Sequence, residues 1–148
     1  MTPDGISTDD WDRVHEAVIE IVNASAIEDD VLCAHHTERL FDILSELESH
    51  YGRIPAILAT RADFTDDSIM AIALHEEALS VANDPTSTRL SLQSMVRLMI
   101  DESYSDSQIA CRLEALEQVT EVDGCASDLD ELQELKEDFE QKQSESGR

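Results

Sequence analysis

Cys33-Ala34-His35-His36 is where thiol and imidazole groups crowd together in this 148-residue chain, so it is the first place to look for metal or nucleophile chemistry. A zinc site needs three or four ligands converging on one point, usually as two spaced pairs. Neighbouring residues of a helix diverge by about 100°, so His35 and His36 cannot share a face. No second Cys or His pair stands nearby at ligand spacing. His36 falls on the apolar stripe of its helix, which predicts a structural or surface histidine. A Cys–His nucleophile is not defined by adjacency either, because the fold sets such pairs. Cys111, between Ala110 and Arg112, reads as a small buried thiol. The three cysteines, Cys33, Cys111 and Cys125, are an odd number at wide spacing and are expected to be reduced.

The acids offer no clearer chemistry. Asp9-Asp10, Asp29-Asp30 and Asp66-Asp67 are doublets at helix starts, where capping and the helix dipole account for them. Asp123-Gly124 lacks the alternating oxygen ligands of a calcium loop. There is no glycine-rich phosphate loop. The chain is therefore expected to be no enzyme, with no catalytic residues, no metal and no cofactor.

The elements that must position these residues are helical throughout. Trp11, Val14, Val18, Ile21 and Val22 recur at helical spacing and predict a helix over about 8–24. Asp29-Asp30 opens a second, with Leu32, His36, Leu40, Ile43, Leu44, Leu47 and Tyr51 on one stripe and Gly52 at its end. Pro55 opens a short helix over about 55–63. Thr65 is the expected cap of a helix over about 66–83, whose turn IMAIAL (69–74) is apolar all round and predicts a central, covered element. Further helices are expected over about 87–102 (Leu92, Met95, Val96, Met99 and Ile100 inward) and from Ser105 to about 122 (Ile109, Leu113, Leu116, Val119). A last helix carries Leu129, Leu132, Leu135 and Phe139, with Ser127 and Asp130 as its capping box. The fold class is all-α, about seven helices as stacked antiparallel hairpins in a short solenoid or compact bundle. The reading is one all-helical domain over 1–143 and a frayed polar end over 144–148.

Composition narrows the partners. Thirty-four acids against ten bases give a net charge of -24. The charge is spread: -10 over residues 1–64, -5 over 65–104 and -9 over 105–148. Without a basic patch, direct nucleic-acid binding is not expected. No apolar run approaches a membrane span, and MTPDGISTDDWD has neither a basic nor an apolar leader region, which predicts a cytoplasmic protein with no membrane partner. A basic partner or a high-salt cell would each explain the acid.

ILATRADFTDDSIMAIALHEEALSVANDP resembles a tetratricopeptide helix pair. Leu58-Ala59 and Ala62 stand at its first-helix positions, and Ala71 and Ala78-Leu79 at the small positions of its second. The likeness spans about residues 53–120 and implies helix pairs stacked into a short solenoid. In that alignment Arg53, Thr60, Asp63, Gln93 and Arg97 face the inner groove, where the two arginines would either clamp a carboxylate or pair with acids of the chain itself. A second stretch is similar to small helical bacterial toxin-immunity proteins: Tyr51-Gly52, Ile54-Pro55 through Asp63, and Ser94 to Glu102. It implies a non-enzymatic inhibitor that binds one toxin.

Three readings follow. The chain is a binding module that neutralises a basic protein, most concretely a nuclease toxin, through Asp66, Asp67, Glu76, Glu77, Asp101 and Glu102. Alternatively it is a DNA mimic that inhibits a defence enzyme, with carboxylates in rows at phosphate-like spacing. Or it is a peptide-binding helical-repeat scaffold of a salt-adapted organism, its acid only solvated surface.

Overall fold

A computed structural model of the chain describes residues 5–146. Among them are seven α-helices and no strand: α1 (Thr8–Ala26), α2 (Asp30–Tyr51), α3 (Pro55–Asp63), α4 (Ser68–Val81), α5 (Pro85–Asp101), α6 (Asp106–Asp123) and α7 (Ala126–Ser146). The fold is all-α. Where the sequence predicts one domain, the chain groups into two compact units, Met1–Phe64 and Thr65–Arg148. The division falls between α3 and α4, the two helices of the tetratricopeptide resemblance. Helix α7 runs past the expected end at 143 to Ser146, and residues 147–148 of the expected frayed end lie outside the described residues, as do residues 1–4, on which part of the reading of the N-terminal stretch falls.

In the first unit α1 and α2 are antiparallel partners. Ser7 caps α1 by accepting from the Asp10 amide at 3.2 Å. Tyr51, at the far end of α2, donates its hydroxyl to Asp10 Oδ2 at 2.6 Å and accepts from the Ser7 amide at 3.2 Å. Those bonds hold the Asp10 carboxyl below its ordinary range, with the Tyr51 hydrogen bond the largest cause. Val14, Ala17 and Ile21 meet Leu40, Ile43, Leu44 and Leu47, and Ile57 of α3 closes the core. Val22 and Leu32, expected inside, are exposed, because they lie at the margins of stripes wider than the helix contact. Glu20 of α1 receives Arg39 and stands 2.9 Å from His36 Nδ1, both on α2.

In the second unit α5 is the central helix, packed against α4, α6 and α7. Its inward residues Leu92, Met95, Val96, Met99 and Ile100 are all buried, with Leu113, Leu116, Leu132, Leu135 and Phe139 around them. Asp84 caps α5 and Pro85 takes its first position, two residues ahead of the expected start. Asp67, not Thr65, caps α4: its carboxylate accepts from the amides of Ile69 and Met70. The full capping box is at Ser105 and Gln108 on α6. At α7 the reaching acid is Asp128, which accepts from the Cys125 amide at 2.9 Å, rather than Asp130.

The expectation for α4 is overturned in part. Ala71, Ile72, His75 and Ala78 are buried, but Ile69 is 55% and Met70 59% exposed. An apolar helix needs cover on every side only if neighbours are supplied for every side, and α5 covers one.

Candidate functional site

Because α4 and α6 both pack on α5, they stand as two walls with the C-terminal end of α5 between them. The space enclosed is a groove of about 630 Å³. Buried Ile72 and Met99 line its depth, and Ile69, Ala73, Tyr104 and Cys111 line its sides. Its size is that of a ligand-binding cleft.

The end of α5 builds one edge of this groove by a defined backbone motif. Ser103 turns left-handed at φ 56°, its amide donates to Ile100 O at 3.1 Å, and the Tyr104 amide donates to Met99 O at 3.0 Å. This is a Schellman ending, which brings the residue after the turn back onto the last helical turn. Here those two residues are Tyr104 and Met99, both lining the groove. Glu76 of α4 and Arg112 of α6 form an ion pair from wall to wall.

The titratable groups of the lining are Glu76, Tyr104, Cys111 and Arg112, and Glu76 is engaged by Arg112. Cys111 is exposed, contrary to the buried thiol the sequence predicts, because two residues from both Ile109 and Leu113 it falls roughly opposite their buried stripe on α6. The arrangement offers apolar surface beside an ion pair.

Of the acids expected at a partner surface, one lines this groove and four more are close in sequence to lining residues. Asp66 and Asp67 lie at the start of α4, just before Ile69; Glu76 lines the groove; Asp101 and Glu102 lie between Met99 and Tyr104. All five are exposed, and Glu77 is half-buried beside Glu76. Asp67 is engaged in capping as well. Sequence reasoning missed the apolar members, Ile69, Ala73 and Tyr104. The usable signal was the all-apolar turn 69–74.

The residues of the expected inner groove have other occupations. Arg53 is paired with Glu48, and the Thr60 hydroxyl donates to Ala56 O at 2.7 Å, both within the first unit, which also contains exposed Asp63. Arg97 donates to Asp138 of α7 at 2.8 Å. Gln93 is only 7% exposed and donates to Asp128 Oδ1 at 3.3 Å. The arginines therefore take the second of the two expected roles, pairing with acids of the chain itself.

Gln93 belongs to a polar hub that joins α5, α6 and α7. Arg89 donates from Nε to Asp123 Oδ2 at 3.0 Å and from Nη1 to Asp128 Oδ1 at 2.9 Å. Asp128 also accepts from the amide and thiol of Cys125. These bonds hold the Asp128 carboxyl below its ordinary range, the Cys125 amide being the largest cause. Each carboxylate is satisfied within the hub, which makes it a structural junction. At Cys33-His35-His36, His36 is turned to Glu20, and His35 is exposed. Among the described residues no group of three or more His, Cys, Asp or Glu is placed to hold a metal ion. No described helix is long and apolar enough to cross a membrane.

Comparison with known proteins finds no matching family, no matching curated sequence and no matching solved structure.

Proposed function

We propose that this chain is a non-catalytic binding module for a basic protein, most concretely an immunity protein that neutralises a bacterial nuclease toxin. The observation that carries the reading is a largely apolar groove with the Glu76 carboxylate in its lining, on a molecule of net charge -24. The apolar lining supplies short-range affinity, and the acid supplies steering toward a basic surface and rejection of acidic ones. An acidic module seated on a nuclease would cover the cations that hold its phosphates. Co-expression with candidate toxins tests this. Rescue of growth, with a complex isolated at moderate salt, is the expected result, and neither rescue nor complex across the candidates counts against it.

A DNA mimic is the second reading, and one observation favours it. Asp130, Glu134 and Glu137 are exposed on α7 at i, i+4 and i+7, so they form a row with rises of about 6 and 4.5 Å. Displacement of DNA from many unrelated basic proteins would support mimicry, whereas a single partner supports the module.

A further inference from the structure

We infer that the groove between α4 and α6 receives the apolar face of a basic amphipathic helix, with a Lys or Arg of that helix taking Glu76 from Arg112. The inference rests on the binding-module reading and names the form of its partner.

Three observations select this occupant. The first is charge: Glu76 lines the groove, exposed Asp66, Asp67, Asp101 and Glu102 lie within three residues of lining residues in the sequence, and the second unit carries -14 over residues 65–148. A second copy of this chain would bring the same sign of charge to that surface, which opposes self-association. The second is the absence of a sheet edge among the described residues, so an extended peptide has no strand to pair with there. The third is the lining itself. Ile69, Ile72 and Ala73 of α4 and Met99 of α5 give one wall and the floor aliphatic or thioether groups, Tyr104 is the one aromatic, and the α6 side presents Ser107, Gln108, Cys111 and Arg112. A polyproline ligand wants an aromatic-lined groove, whereas an aliphatic trough suits anchors at i, i+3/i+4 and i+7 of a helix. Met99 adapts its shape to such anchors.

The Glu76–Arg112 pair gives the site its selectivity. It crosses the groove, and its side chains are 47% and 34% exposed, so it is held only weakly against exchange. An incoming cation replaces Arg112 on Glu76 without leaving a carboxylate bare. A neutral apolar helix has nothing to offer Glu76 and meets the ion pair across its path.

The test uses the full chain and an amphipathic Leu/Lys peptide about 18 residues, or five turns, long. Its control is a scrambled isomer of the same composition with no helical stripe. Two substitutions report on the groove. Ile69→Glu adds a negative charge at the second position of α4, where acid suits the helix dipole, so the fold is preserved. Ala73→Trp fills the trough from an exposed position. The expected result is that the amphipathic peptide binds about tenfold tighter than its isomer, and that each variant removes about that factor for the amphipathic peptide alone. For the isomer, Ile69→Glu leaves binding equal or tighter. Equal binding of both peptides, with no loss on Ile69→Glu, would overturn the groove and leave the acidic-module reading standing. If neither peptide binds at low salt, both fall. A concentration-dependent dimer in ultracentrifugation that Ile69→Glu and Ala73→Trp both abolish would assign the groove to a second copy and overturn the inference. Should Ala73→Trp lose its helical circular dichroism, Ile69→Glu decides alone.

Discussion

At the scale of single residues, Gly124 and Asp128 show how the junction of α6 and α7 is held. Gly124 has an ordinary φ of -74°, so its backbone needs no glycine. Space is what requires it: a Cβ there would stand 2.5 Å from Thr120 Cγ2 and 2.6 Å from Thr120 O. The Gly124 amide already bonds that same carbonyl at 2.7 Å, so the helix end cannot back away without losing the bond. Gly124→Ala is expected to destabilise by about 1–3 kcal/mol in urea unfolding, as overpacking does. Thr120→Ser is not expected to rescue it, since the carbonyl contact remains. Asp128 gives a pH signature. Its folded pKa lies below the ordinary 3.8, so its contribution is complete above that value and is lost as the pH falls through the folded value. Acidification also relieves repulsion among the other acids, which acts in the opposite sense. The difference between the parent and Asp128→Asn isolates the site. The parent is expected to lose its advantage over the variant below about pH 4, and a difference that is flat from pH 7 to pH 2.5 would refute this. The doublets at helix starts were legible from the sequence because capping is local. The hub was not, because Arg89, Asp123 and Asp128 meet only once three helices are packed.

At the scale of elements, periodicity located every helix and placed α5 correctly as a buried stripe. It could not say which sides of α4 find neighbours. A turn that is apolar all round is compatible with a covered helix or with one wall of a groove, and only the packing of α4 and α6 on α5 separates the two. Boundaries failed for a related reason. A proline after a helix can end it or open the next, and Pro85 opens α5, two residues ahead of the expected start. The ends of α1 and α5 carry a signal of their own. Glu28 and Ser103 sit at φ 57° and 56°, each in the left-handed position of a Schellman ending where glycine is the usual residue. An L side chain there costs about 1–2 kcal/mol. Ser103→Gly is therefore expected to stabilise the chain by about 0.5–1 kcal/mol net of the added unfolded-state freedom of glycine. Ser103→Val, β-branched and unable to take that φ without strain, is expected to destabilise it and to slacken the Tyr104–Met99 edge of the groove. The check is thermal unfolding of both variants, with Tyr104 fluorescence quenching as the local reporter. A loss of stability in Ser103→Gly would show that the serine is bonded in a way glycine cannot replace.

At the scale of the whole molecule, the net charge of -24 acts on folding and on binding with opposite signs. Ten cations can neutralise at most ten of thirty-four acids, and pairs outside the Arg89 hub, such as Arg13–Glu46 and Arg97–Asp138, are exposed and weak. Salt weakens those few attractions and also screens the repulsion among the excess acids. The excess is larger, so repulsion decides the sign. Raising sodium chloride from about 0.05 to 1 M shortens the screening length to about 3 Å, and the unfolding midpoint is expected to rise through that range. Association with a basic partner should run the other way, its on-rate and affinity falling over the same range. The pair of slopes separates the origins proposed for the acid. A steep gain in stability with salt, and no basic partner at low salt, is the pattern of a solvated coat in a salt-adapted cell. Rising stability together with falling affinity is the pattern of an acidic module whose charge is held for a partner. The apolar lining contributes a component to binding that salt does not screen. The residual affinity at 1 M salt should therefore be abolished by Ile69→Glu, and its survival in that variant would place the partner elsewhere on the surface.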